Sequence, residues 1–262
     1  MTHERMFGFS VGVLRIAAIL YTFMLIYGTL FPFQGWDLPR EGFAKNFLVA
    51  DAGRLSRTDL LTNILVYLPF GLLWGALFFC RRRRSATLAA VGLFGFGLSF
   101  CLEFAQVFLP ARISALSDLV LNGLGAVMGG LLALFLEGRW AWGGKLRAQR
   151  KEKFASGSLA NVGLLTLAFW ALSQLSPLVP SLGVSNLRAG LKPLWFSLTG
   201  KASLVPMQAL GYFFSIVALG AIVLSLGKSR RFALSFFGFG VLAVLAFKVP
   251  VLSRQLSLEA LL

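Results

Sequence analysis

The stretch RRRRSATLAAVGLFGFGLSFCLEFAQVF, residues 81–108, decides the class of this protein. Four arginines open it, and between residues 86 and 108 the only charged side chain is Glu103. A helix rises about 1.5 Å per residue, so such a run is long enough for a hydrocarbon core of about 30 Å. Six further runs have the same character: about 11–31, 60–80, 118–137, 158–178, 207–226 and 232–252. Phe, Leu, Gly and Ala fill them without a two-residue alternation, which argues against a transmembrane barrel. The expected fold is therefore all-α, a polytopic transmembrane helix bundle of about seven spans.

Composition agrees. Of the 262 residues, 57% are hydrophobic and 13% charged, against roughly 25% charged in a typical soluble domain. There are too few charges to coat a soluble globule. Intrinsic disorder is excluded by the same balance. Cys80 and Cys101 are the only cysteines and both lie in apolar runs, so no disulfide scaffold is implied. The sole histidine is His3. No metal-ligand spacing is present, and no cofactor is implied.

The net charge is +15, but the basic residues lie in short blocks beside apolar runs. That pattern points to membrane lipids as partners, through the positive-inside rule and anionic headgroups, and not to nucleic acid. Arg81–Arg84 joins spans two and three. Arg139, Lys145, Arg147, Arg150, Lys151 and Lys153 lie between spans four and five, and Lys228, Arg230 and Arg231 between spans six and seven. These connections share one side with Arg5, so the N-terminus is expected in the cytoplasm. The opposite side receives the longer loops, about 32–59 and 179–206. The first span runs on to Phe31-Pro32-Phe33 without a small-x-small cleavage site, so it is read as a retained span. Three regions follow: a four-span domain over 1–137, a basic cytoplasmic linker over 138–157, and a three-span region over 158–262. A faint similarity between the segments around Arg112 and Arg254 admits either a degenerate repeat or chance likeness of apolar helices.

Polar residues inside the first four spans carry the functional argument, because a carboxylate in a bilayer is costly and is paired or functional. Glu103 and Gln106 are three residues apart and share a helix face. Pro110 is expected to end that helix, and Ser117 or Asp118 to cap the next. Asn122 lies one turn beyond Asp118. Asn63 opens span two. Asn63, Glu103, Gln106, Arg112, Asp118 and Asn122 thus converge at the end expected to be external. One reading is a pocket for a polar headgroup, with the Arg112 guanidinium fork suited to phosphate or carboxylate. The other is an ion-pair and amide network joining helices, in which each bond contributes about 0.6–2 kcal/mol. Gly125 and Gly129 form a Gly-x-x-x-Gly expected to bring helices close; Gly92, Gly95 and Gly97 invite the same expectation. Lys248 is expected to snorkel.

Three motifs occur in order: Asn63-Ile-Leu-Val-Tyr-Leu-Pro-Phe-Gly71; Ser99-x-x-x-Glu103-x-x-Gln106-x-Phe108-x-Pro110-x-Arg112; and Ser117-Asp118-Leu-x-x-Asn122-x-x-Gly125-x-x-x-Gly129. Their combination resembles the VanZ-like family over about residues 15–137. The resemblance implies an integral membrane protein, in the bacterial cytoplasmic (inner) membrane, that acts in the cell envelope. The family's namesake is associated with resistance to teicoplanin, a lipid-tailed glycopeptide. The family supplies no settled reaction, but it supports the six polar residues as one constellation. The expected function is to bind or handle the polar head of an amphiphile at the outer leaflet, such as a lipid-linked glycan or lipoglycopeptide. Two alternatives remain. One is an enzyme of envelope lipids, with Glu103 or Asp118 as acid or base and Arg112 holding phosphate. The other is a structural membrane partner with no ligand.

Overall fold

The computed structural model describes residues 9–31, 33–38, 47, 57–79, 83–109, 114–137, 141–175, 183–251 and 254–261. His3, Arg5, Cys80, Arg81, Arg82, Pro110, Arg112 and Arg139 lie outside them. Among the described residues there are nine α-helices and no β-strand. They are α1 (Val11–Leu30), α2 (Arg57–Phe79), α3 (Arg84–Gln106), α4 (Leu116–Glu137), α5 (Ala141–Lys153), α6 (Ser158–Leu175), α7 (Val184–Leu198), α8 (Pro206–Leu226) and α9 (Arg230–Lys248). A short 3-10 turn, Leu258–Ala260, follows.

Seven of these helices, all but α5 and α7, are long and apolar enough to cross a membrane. They match the expected spans to within four residues at every end. Their outward faces carry large apolar side chains such as Phe23, Leu93 and Phe239, as a hydrocarbon solvent requires. The chain is an all-α integral membrane protein. Two helices went unforeseen. α5 lies in the basic connection and α7 in what reads as an external loop. Both are too polar or too short to show as spans.

The chain forms two compact units, Met1–Arg147 and Ala148–Leu262. In the first, α2 and α4 make the most extensive helix contact. The cause is a line of small residues. A Cβ on Gly71 would collide with the Ala126 carbonyl, and one on Gly129 with the Leu68 carbonyl. At Gly125 it would stand 2.5 Å from the Ile64 carbonyl oxygen. Only hydrogen fits, so the backbones approach closely and gain dispersion contacts that lipid does not offer. The expected role of Gly125 and Gly129 holds. Gly92 and Gly95 of α3 also pack on α4, but Gly97 faces open space, because it lies more than half a turn round α3 from Gly95.

α1 joins through polar bonds as well as packing. Tyr21 Oη donates to the Val66 carbonyl at 2.8 Å, in the turn of α2 that Pro69 interrupts. Trp74 Nε1 donates to Thr22 Oγ1 at 3.1 Å. Such bonds satisfy groups that have no water to turn to. Leu14, Ala76 and Ala133 form an apolar core beneath them.

In the second unit, α9 packs on α8 and α6. The end of α5 is bonded to the turn between α8 and α9: Ala155 N–H donates to the Leu226 carbonyl at 2.7 Å and Lys228 N–H to the Lys153 carbonyl at 2.9 Å. Arg150 is not a solvated charge. Its guanidinium donates to the Ala155 carbonyl at 2.6 Å and to Asn161 Oδ1 at 3.2 Å, and it lies 5.5 Å from the Phe154 ring centroid. Lys248 does not snorkel either. It is 5% exposed, its ammonium donates to Gln174 Oε1 at 3.3 Å, and it faces the Tyr212 ring. The amide and ring supply what water would have given its head.

Candidate functional site

Helical geometry places the polar residues of the first unit in two layers. Asn63 and Tyr67 of α2, Ser99 and Glu103 of α3, and Asp118 and Asn122 of α4 are each four residues apart. Each pair therefore stacks on one helix face, one turn apart, or about 6 Å. The outer layer is Asn63, Glu103 and Asp118. The inner layer is Tyr67, Ser99 and Asn122.

In the outer layer, Asn63 Nδ2 donates to Asp118 Oδ1 at 2.6 Å, tying α2 to α4. Both residues are half-buried. Glu103 is 3% exposed. Its Oε2 accepts the Ala115 N–H at 2.9 Å, and the Ser114 hydroxyl bonds the same carboxylate. α4 begins at Leu116, and Asp118 lies in its first turn. This corrects the expected cap. Ser117 and Asp118 lie inside the helix, and the N–H just ahead of it is taken by a carboxylate from α3. A negative group there also suits the positive end of the helix dipole. Glu103 and Asp118 are close enough to repel when both are ionised.

Gln106 belongs elsewhere. Its Nε2 donates to the Thr29 carbonyl of α1 at 3.4 Å, so it ties α3 to α1 instead of joining the Asn63–Asp118 pair. Arg112, the cation expected in the cluster, lies outside the described residues.

In the inner layer, Asn122 Nδ2 donates to Ser99 Oγ at 2.9 Å. Asn122 Oδ1 has no hydrogen-bond partner, and Tyr67 Oη reaches only Ser99, outside good hydrogen-bond geometry. Flipping the amide would leave its nitrogen unpartnered in place of its oxygen. All three side chains are buried. Most buried polar atoms find good partners, so an orphaned amide oxygen beside a poorly bonded phenol calls for an explanation. The arrangement sets buried hydroxyl and amide groups one helical turn from the Glu103 and Asp118 carboxylates. It can bind hydroxyl or amide groups of a guest, or hold water.

Tyr67 and Ser99 were not among the residues chosen from the sequence. The four-residue spacing from Asn63 to Tyr67 and from Ser99 to Glu103 was the available signal. Ser114 and Thr29 offered none, because one acts from a connection and the other through its backbone.

Residues 18–137 match the family model VanZ/LLP1, a segment that runs from within α1 to the end of α4. No curated protein and no solved structure matches the chain.

Proposed function

The chain being VanZ-like over residues 18–137, we propose that its first unit binds the polar head of an amphiphile, a lipid-linked glycan or a lipoglycopeptide, at the outer leaflet. The observation that carries this reading is the inner layer, where Asn122 Oδ1 is buried without a partner and Tyr67 Oη has only a poorly aligned one in Ser99. A glycan presents hydroxyls that both donate and accept, the complement of a phenol and an amide oxygen. Asn63, Asp118 and Glu103 form the mouth, and Arg112 supplies a fork for phosphate or carboxylate. A role in teicoplanin resistance follows from the same reading, since that ligand joins a sugar-bearing head to a lipid tail. The inner membrane is the proposed location.

Tyr67→Phe tests it. Removing a buried hydroxyl whose one neighbour, Ser99, is poorly aligned relieves a desolvation penalty of about 1–3 kcal/mol. The variant should melt at the wild-type temperature or above it in detergent. Its affinity for a purified lipid-linked glycan or for teicoplanin, read by binding to protein in nanodiscs, should fall about tenfold. Arg112→Lys should also weaken binding while leaving expression intact, since it keeps the charge and loses the fork. If Tyr67→Phe binds normally, or if neither ligand binds the wild type saturably, the headgroup reading is wrong.

The proposed orientation puts the N-terminus in the cytoplasm and the Asn63–Asp118 layer outside. Ser114 is 1% exposed and would make a poor probe. Leu38 is exposed, and its neighbour Asp37 donates an N–H to the Phe108 carbonyl at 2.9 Å, beside the end of α3. Leu38→Cys in a cysteine-free background should react with an impermeant thiol reagent in intact cells. Ser85→Cys, at the other end of α3, should react only after lysis. The opposite pattern would reverse the topology.

A further inference from the structure

The helix α7 belongs to neither the family-matched segment nor the spans. Its 15 residues extend about 22 Å, short of the roughly 30 Å of a hydrocarbon core. Its position follows from its neighbours. It lies in sequence between α6, which ends at Leu175, and α8, which starts at Pro206, and both are membrane-spanning in length and composition. It also touches the end of a third span. A Cβ on Gly190 would stand 2.8 Å from the carbonyl oxygen of Val249, the residue just after α9. The Gly190 carbonyl accepts the Leu256 N–H at 2.8 Å. Three span ends therefore set α7 at the border of the membrane, whichever way the chain is oriented.

The faces of α7 are chemically sorted. The Gly190 edge is buried on the second unit. Val184, Leu191, Trp195 and Leu198 are exposed, the last two by 62% and 63%. At about 100° per residue these four fall within roughly 60° of one another around the axis. Arg188 and Lys192 are exposed on the adjoining strip. Residues 176–205 contain no Asp or Glu. Among the described residues no carboxylate pairs with Arg188 or Lys192, and Lys192 lies over the Phe196 ring at 5.3 Å. An apolar stripe with a tryptophan, edged by two cations that have no carboxylate partner among the described residues, matches a leaflet seen edge-on: acyl chains below, phosphates alongside.

We propose that α7 is an in-plane interfacial helix that binds anionic phospholipid, its Val184–Leu191–Trp195–Leu198 stripe in the acyl boundary and Arg188 and Lys192 on the headgroup phosphates. The reading stands apart from that of the first unit, since it uses no residue of that unit.

The test uses the full chain, with Cys80 and Cys101 replaced, carrying Trp195→Cys or Leu198→Cys labelled with an environment-sensitive fluorophore. The protein is reconstituted into vesicles of phosphatidylcholine with or without phosphatidylglycerol. Both labels should emit as from an apolar medium and be quenched more by spin-labelled lipid with a shallow nitroxide than with a deep one. Adding Arg188→Gln and Lys192→Gln should shift the ratio of inserted to water-exposed label about fivefold for each basic residue removed, in the phosphatidylglycerol vesicles only. A label at Val162→Cys on α6 must stay lipid-buried throughout, which separates a local effect from misfolding. Water-like emission at both α7 positions with α6 intact overturns the proposal. So does stronger quenching by the deep nitroxide, or burial that appears only at high protein density, which would mean that a second copy covers the stripe. Insertion with no dependence on phosphatidylglycerol overturns the headgroup assignment.

Discussion

Gly129→Leu should prevent the first unit from assembling, while Gly97→Leu should leave it intact. At Gly129 the neighbours are backbone: the Leu68 carbonyl, the Leu72 nitrogen and the Gly71 carbonyl carbon. A side chain there has no flexible neighbour to push aside, so α2 and α4 must separate. Overpacking a tight core costs about 1–3 kcal/mol and sometimes more. Separating the largest helix contact of the unit belongs at the upper end, about 3 kcal/mol or above, against a total stability of about 5–15 kcal/mol. At Gly97 nothing lies within 4 Å, and leucine there meets lipid. The measurement is the monodisperse fraction and melting temperature of each variant in detergent. Equal behaviour of the two variants would show that α2 and α4 do not approach as described.

Glu103→Ala should be the second most damaging change, and Glu103→Gln much milder. The carboxylate receives the Ala115 N–H and the Ser114 hydroxyl in a site only 3% exposed. Alanine leaves both donors unpartnered at about 1–3 kcal/mol each, and adds a small cavity. The sum is on the order of 3 kcal/mol. Glutamine keeps one oxygen for Ala115 and removes the repulsion with Asp118, so its loss of stability should be about 1 kcal/mol or less. Ligand affinity provides an independent readout. If the charge serves the headgroup pocket, Glu103→Gln should lose binding while keeping its melting temperature. If Glu103 serves only as an anchor for the start of α4, Glu103→Gln should bind as the wild type does. A Glu103→Ala variant as stable as the wild type would remove the anchoring role altogether.

The anchoring role shows why a site is harder to read than a span. The expected caps, Ser117 and Asp118, obey a local rule in which a short oxygen side chain serves the helix that follows it. The protein instead uses a carboxylate twelve residues upstream, on another helix. That leaves Asp118 for Asn63. Gln106 shares a face with Glu103 by spacing, yet it bonds to a carbonyl of α1. No local pattern encodes either choice, because both depend on which helix lies opposite.

The spans are different. Bilayer thickness fixes the length of an apolar run, and every backbone group must be satisfied within it, so seven runs give seven helices wherever their neighbours are. The small-residue seam at Gly125 and Gly129 was equally legible along the chain, since a missing side chain is a property of the residue. Tertiary structure alone decided that Gly97 faces outward, that Lys248 is held by Gln174 and Tyr212, and that Tyr67, Ser99 and Asn122 form one buried layer. It also decided that residues 184–198 form a helix packed against the end of α9. The physical reason is the same in each case. Burial in a bilayer depends on one helix and the solvent around it, whereas pairing depends on the relative rotation of two or three helices, which periodicity along one chain segment does not contain.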